Sequence, residues 1–145
     1  MSLVIDIADA VVAELNAHTW TQEPEAFTAE RRYQPYLTPE DLTNLKVSVI
    51  LRQYEGQLYS RGASKRLITV QVLVQREQTD ANSGNDPLIE LAEEIADHFE
   101  DWKETGTGAV CTSAQISPIY APDHIRDRVV TSVVELQFII HKTRG

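Results

Sequence analysis

Three side chains on one predicted helix have the types and spacing of ligands for a divalent metal. Glu94, His98 and Asp101 are separated by four and then three residues, which places them on one face of an α-helix. The pattern lacks the general-base arrangement of an H-E-x-x-H metal motif. A solvated acidic helix face explains it more simply, so the sequence predicts no metal site here.

A loop and a single cysteine offer two further candidates. Asp123 and Asp127 flank His124 and could bind a cation, although a polar turn is the simpler interpretation. Cys111 lies among apolar residues, and no histidine is identifiable as the base that a nucleophilic thiol requires. The sequence predicts a small buried side chain there. A single cysteine cannot form an internal disulfide, which indicates a reducing compartment.

Two short polar runs could suggest catalysis or phosphate binding. Ser60 and Ser64 lie in a polar insert without the G-x-S-x-G signature of an activated serine. The Thr-Gly-Thr-Gly run at residues 105–108 follows a predicted helix and contains no lysine, so it does not fit a phosphate-binding loop. The sequence therefore predicts no catalytic residue, no metal and no cofactor, and a protein that is not an enzyme.

Charge is distributed unevenly along the 145 residues, whose formal net charge is −9. Residues 1–45 carry a net charge of −6, residues 46–76 +5, residues 77–104 −9 and residues 105–145 +1. The basic segment of one copy could meet the acidic segment of another, although two solvated surfaces of a monomer would give the same pattern.

The basic segment also combines cations with aromatic rings, as nucleic-acid surfaces do. These residues are Arg52, Arg61, Lys65, Arg66 and Arg76, with Tyr54 and Tyr59 among them. The negative total charge and the lack of a known binding motif argue against direct binding.

Two amphipathic helices are predicted from apolar residues at spacings of three and four. The first contains Val4, Val11 and Leu15 and ends near His18. The second has Asp86 as N-cap and Pro87 as its first residue, and its apolar stripe runs to residue 102. A shorter helical turn is expected at residues 38–41, with Thr38 as its N-cap.

The longest strands are predicted at residues 46–54, 65–76 and 128–142 from alternating apolar and polar residues. Shorter strands are expected at residues 27–33 and 109–120, and loops at 77–86 and 121–127. The first two long strands enclose a polar insert with turn residues at Gly56 and Gly62. The apolar stripe of the second strand should face the core, and its opposite, mixed face should meet solvent or a partner. The stripe comprises Ile68, Val70, Val72 and Val74, and in the first strand Val47, Val49 and Leu51 share one side.

The second long strand is long for a chain of this size. Its 12 residues would reach roughly 40 Å, whereas the radius of gyration of a compact chain of this length is roughly 15 Å. We expect one α+β domain over residues 1–145, with a mostly antiparallel sheet, two helices on one face and a long protruding β-hairpin. No segment has the length and apolar character of a membrane span.

The order of these elements resembles the tail-terminator and tail-completion proteins of long-tailed bacteriophages, the family of the lambda minor tail protein U. The strands L-I-T-V-Q-V-L-V-Q-R-E and V-V-T-S-V-V-E-L-Q-F-I-I-H are its closest local matches. The resemblance implies a structural subunit, assembled in the bacterial host cytoplasm, that forms a ring at the head-proximal end of the tail tube. Such a ring, typically a hexamer, stops tube polymerisation and contacts the tail tube protein and the head connector. DNA would only pass through its lumen.

Contacts between copies are expected to join the basic hairpin to the acidic helix. The interface residues predicted on this basis are Arg52, Tyr59, Arg61, Lys65, Arg66, Glu90, Glu94, Asp97 and Asp101. Residues 55–66 would form a mobile tip that a neighbouring copy or the tail tube orders. Two alternatives remain open: a head-completion or connector adaptor of the same particle, and a small metal-dependent enzyme that uses the Glu94 and His98 face.

Overall fold

The computed structural model describes residues 2–22, 26–36, 38–58, 62–77, 82–117 and 129–143. In chain order the elements are α1 (Leu3–Ala17), β1 (Ala29–Arg32), a 3₁₀ helix (Pro39–Leu42), β2 (Lys46–Leu58), β3 (Ala63–Glu77), α2 (Asn82–Phe99), β4 (Val110–Ile116) and β5 (Val129–Thr143). This confirms the α+β class. The loop predicted at residues 121–127 lies outside the described residues.

The five strands form one sheet in the order β1-β2-β3-β5-β4. Only the β1–β2 pair is parallel, and the other three pairs are antiparallel, which confirms the mostly antiparallel prediction. β1 is short and pairs only with residues 47–50 of β2. The longest pairing joins β3 to β5 over the whole length of both strands. The centre of the sheet is therefore much longer than its β1 edge.

The two helices begin differently. α1 starts at Leu3, and the Ser2 hydroxyl accepts a hydrogen bond from the Ile5 N–H at 3.3 Å, as an N-cap does. α2 starts at Asn82, so the prediction of an Asp86 cap with Pro87 as the first helical residue was wrong. Pro87 lies inside the helix, where its missing N–H removes one intrahelical hydrogen bond close to the helix start. Neither helix has the length and apolar character required to cross a membrane.

Both helices pack on one face of the sheet, as predicted, and bury the apolar stripe there. The sheet contributes Val47, Val49, Ile68, Val70, Val72, Val74, Cys111, Val130, Val134, Leu136 and Phe138. The helices contribute Ile7, Ala8, Val11, Leu15, Leu88, Leu91, Ala92, Ile95, Ala96 and Phe99. This core ends at the level of the paired residues Ile68 and Phe138. We call this side of the sheet the helix face.

The other side of the sheet, here the opposite face, is partly covered by the protein itself. Ile50, Leu73 and Val133 form a small buried cluster on it. Beside them, the fully buried Gln75 accepts a hydrogen bond from the Tyr36 N–H at 3.1 Å and donates one to the Tyr36 carbonyl at 2.7 Å. These two bonds hold the segment before the 3₁₀ helix against the sheet. The prediction that this face meets only solvent or a partner was therefore wrong near Gln75.

The 3₁₀ helix occupies the predicted helical turn with Thr38 at its N-cap position, as predicted, but the Thr38 side chain makes no capping hydrogen bond. The Thr38 hydroxyl donates to the Asp41 carboxylate at 2.7 Å, and its side chain accepts no bond from the backbone. Nearby, the Ser48 hydroxyl is buried and has no hydrogen-bond partner among the described residues. This orphaned hydroxyl is an unfavourable feature of the opposite face, because a buried polar group normally needs a partner.

The hairpin strands continue through most of the polar insert, so the turn predicted at Gly56 was wrong. Gly56 is a strand residue paired with Arg66, and pairing continues to Leu58 opposite Ser64. β5 runs alongside as far as the Ala63–Thr143 pair. Residues 55–58 and 63–66 are thus paired strand rather than the predicted mobile tip, and residues 59–61 lie outside the described residues.

The result is a three-stranded extension of the sheet beyond the level of Ile68. We call it the ribbon, and it comprises residues 55–58, 63–67 and 139–143. β2, which pairs with β3, and β4, which pairs with β5, are each irregular at one residue. Arg52 interrupts the β2–β3 register and Thr112 interrupts the β4–β5 register, each as a β-bulge.

Candidate assembly surfaces

α2 carries four carboxylates around a cleft of about 460 Å³ that it forms with the segment after α1. Glu94 lies at the centre, where its oxygens accept bonds from the Thr21 N–H at 2.7 Å, the Thr21 hydroxyl at 2.7 Å and the Gln22 N–H at 3.2 Å. Partial burial raises the pKa of Glu94, but these hydrogen bonds outweigh it and hold the pKa below its usual value. Glu94 therefore anchors the α1–β1 connection to α2.

The other three carboxylates of the cleft are exposed and uncommitted. Glu90, Glu93 and Asp97 form no hydrogen bond or ion pair with any other described side chain. Glu93 and Asp97 are four residues apart on α2, where two like charges repel. The fourth acidic residue predicted for this surface, Asp101, lies just beyond the helix with a left-handed backbone (φ 62°). Within the cleft, the free negative charge thus lies on Glu90, Glu93 and Asp97.

The Glu94, His98 and Asp101 pattern does not become a metal site. His98 Nε2 lies 2.9 Å from Glu14 Oε1, and its ring packs 4.2 Å from that of His18. Glu94 is held by Thr21, away from that pair. Across the described ranges, no group of three or more His, Cys, Asp or Glu side chains is placed to bind a metal. The candidate around His124 lies outside those ranges.

A groove of about 360 Å³ runs along the helix face of the ribbon. Arg66 lies across Gly56, where an added Cβ would come within 3.3 Å of its guanidinium. The guanidinium donates to the Tyr54 hydroxyl at 2.9 Å and to the Ser64 hydroxyl at 3.0 Å. Beside it, the Leu58 side chain is 62% exposed and that of Tyr54 is 49% exposed. Gly56 thus leaves the space in which Arg66 is held flat between polar and apolar groups.

The predicted basic interface residues do not share one surface. Arg66 belongs to the helix face, whereas the adjacent Lys65 points to the opposite face, because side chains alternate along a strand. Arg52 is exposed at the β2 bulge. Tyr59 and Arg61 lie outside the described residues. The structure therefore joins Arg66 to Tyr54, Ser64 and Leu58, which the sequence did not select as a group.

Part of the backbone edge is open on the β2 side of the ribbon. β1 ends its pairing at Ile50, and no described strand pairs with residues 51–58 on that side. On the other side, β4 pairs with β5 as far as Ile139. An open edge offers N–H and C=O groups to an added strand.

Two candidates from the sequence have structural roles. Cys111 is buried, which confirms the predicted buried side chain, and burial raises the pKa of its thiol to about 11. The run at residues 105–108 is a turn held by the Glu104 carboxylate, which accepts bonds from the N–H groups of Gly106 and Thr107. The sequence analysis did not single out Glu104, because a glutamate that binds its own turn has no distinctive pattern.

Comparison with known proteins adds no assignment. No protein-family model matches the chain, and no curated protein matches it.

Proposed function

We propose that this chain is a structural subunit of a bacteriophage or prophage tail, of the tail-terminator type. In this proposal six copies form a ring at the head-proximal end of the tail tube. The ring ends tube polymerisation, contacts the head connector, and lets DNA pass through its lumen. The proposal rests on the resemblance in element order and on the surfaces that the fold leaves open.

The observation that carries the proposal is a sheet that extends beyond its own core. The ribbon has an open backbone edge along residues 51–58, where no described strand pairs with β2 on the side away from β3. Such an edge of one copy can pair with a different strand of the next copy. A contact between two different surfaces is heterologous, and heterologous contacts close into rings when the rotation between copies permits.

The exposed apolar side chains of the ribbon support the same interpretation. Leu58 is 62% exposed and borders the open β2 edge. A large apolar side chain beside unpaired backbone is typical of a strand that another chain covers. The charge distribution adds a general attraction, because the segment at residues 46–76 is basic and the segment at residues 77–104 is acidic.

The test is the assembly state of the purified full chain, measured by multi-angle light scattering and negative-stain microscopy over a range of protein concentrations. We expect rings with a mass of six subunits. Leu58→Lys should reduce ring formation, because a lysine at the open edge opposes strand addition. Tyr33→Lys is the matched control, since Tyr33 is 75% exposed but lies at the end of β1, away from the ribbon.

A chain that stays monomeric at every concentration, with no rings on the grid, would contradict the proposal. Rings that survive Leu58→Lys as well as Tyr33→Lys would show that the ribbon edge is not the contact. Assembly onto purified connector rather than onto tail tubes would favour the head-completion alternative.

A further inference from the structure

We infer that Arg66 of one copy pairs with Glu93 and Asp97 on α2 of the next copy. This inference rests on the proposed ring and names the charged contact that would fix its register. It identifies the helix face of the ribbon, rather than the basic segment as a whole, as the surface that recognises the acidic helix.

Arg66 is prepared for a carboxylate that the described part of its own chain does not supply. The Tyr54 and Ser64 hydroxyls hold the guanidinium at 2.9 and 3.0 Å, and Gly56 leaves room beneath it. No ion pair among the described residues involves Arg66. These partners, together with the Lys65 carbonyl at 3.4 Å, fix the orientation of the group without neutralising it, so its Nη2 donors are available to a carboxylate.

The acidic cleft, in turn, has carboxylates that lack a cationic partner among the described residues. Glu93 and Asp97 lie one helical turn apart, are exposed, and have no cationic partner among the described residues. Glu94 is excluded as a partner for Arg66, because Thr21 and Gln22 already occupy its oxygens. A guanidinium between Glu93 and Asp97 would remove the repulsion between these two carboxylates.

A second copy is the occupant that the charges favour. Two copies that each carry a net charge of −9 repel one another unless the acidic helix meets a basic surface, and residues 46–76 supply one with a net charge of +5. On the helix face of the ribbon, the described part of the chain presents Arg66 as an oriented cation beside the exposed Leu58. Protein interfaces usually combine an apolar centre with a polar rim, and Leu58 and Arg66 would supply one contact of each kind. Because the two surfaces differ, the contact can be heterologous, which is the kind that the ring requires.

The test is a charge exchange in the full chain, followed by sedimentation velocity and negative-stain microscopy. Arg66→Glu and Asp97→Arg should each weaken association by at least about tenfold in dissociation constant. The double variant with both changes should recover much of that loss, because the pair is re-formed with its signs exchanged. Lys65→Glu is the matched control: it makes the same charge change one residue away but on the opposite face.

Folding is checked separately by circular dichroism and thermal unfolding of each variant. Arg66→Gln serves as a second variant that removes the charge and keeps a side chain able to bind Tyr54 and Ser64. Rings that form normally in Arg66→Glu would overturn the inference while the proposed function stands. Closed dimers that depend on Arg66 and Asp97 would support the contact and contradict the ring. Equal effects of Lys65→Glu and Arg66→Glu, or no recovery in the double variant, would also overturn the inference.

Discussion

Replacement of Glu94 should destabilise the fold, although its side chain lies on the surface of a helix. The carboxylate accepts hydrogen bonds from three donors, the N–H and hydroxyl of Thr21 and the N–H of Gln22. A hydrogen bond to a charged group contributes about 1.5–3 kcal/mol when buried, and partial exposure here lowers each contribution to roughly 0.5–1 kcal/mol. Glu94→Ala should therefore reduce the free energy of unfolding by about 2 kcal/mol.

The effect should depend on pH in a defined direction. The hydrogen bonds hold the pKa of Glu94 below its unfolded value, so the ionised group stabilises the folded state above the unfolded pKa of about 4.3. That contribution is lost as the pH falls through the folded-state pKa. Glu94→Gln keeps one acceptor oxygen without the charge, and it should cost about 1 kcal/mol at neutral pH. The difference between wild type and Glu94→Gln should disappear in acid.

Urea unfolding and thermal melts measure both quantities. For a chain of this length a loss of 2 kcal/mol corresponds to roughly 4–8 °C in melting temperature. Glu93→Ala is the control, because Glu93 is the preceding residue on α2 and has no bonded partner among the described residues; its effect should stay within about 0.5 kcal/mol. Equal stabilities of Glu94→Ala and Glu93→Ala would refute the anchoring role of Glu94.

Three further outcomes are expected in the body of the sheet. Ser48→Ala should raise the free energy of unfolding by about 1 kcal/mol in urea titration, because it removes a buried hydroxyl without a described partner; a loss of stability would mean that the hydroxyl is bonded. Gln75→Leu should lower it by about 2 kcal/mol, since the Tyr36 N–H and carbonyl lose their partner, and an unchanged value would contradict that role. Cys111 should resist thiol reagents at mildly alkaline pH until the protein unfolds, because burial raises its pKa to about 11; rapid labelling of the native protein would contradict its burial.

The spacing of apolar residues correctly located the long helices and strands that bury one face. α1 and β5 agree with their predicted bounds within one or two residues, because a helix or strand against a core must repeat its apolar residues at a fixed spacing. Gly56 shows where local signals fail. Glycine predicts a turn, but this one lies within β2 because Arg66, ten residues later, occupies the space above it. The start of α2 was also predicted wrongly. The strongest local signal was a proline that lies inside the helix, more than one turn after its first residue.

The candidate sites were less predictable than the fold. The spacing of Glu94, His98 and Asp101 is correct for one helix face, but the partner of Glu94 is Thr21, 73 residues earlier in the chain. No local pattern indicates such a partner. Lys65 and Arg66 are adjacent cations that the sequence treats alike, and only the strand geometry separates them onto opposite faces. Contacts between distant residues, rather than residue types, therefore decide which charges are free.

The bulge at Arg52 has a consequence for changes in chain length. Before it, the even-numbered Ser48 and Ile50 point to the opposite face, and after it the even-numbered Tyr54 and Gly56 belong to the helix face. Deletion of Arg52 itself would remove the bulge and leave these faces unchanged, because Leu51 and Gln53 already pair with the successive residues Val70 and Thr69. Deletion of Glu55, beyond the bulge, would instead move Gly56 to the opposite face and away from Arg66. A library of single-residue deletions should therefore tolerate the loss of Arg52 and not the loss of Glu55.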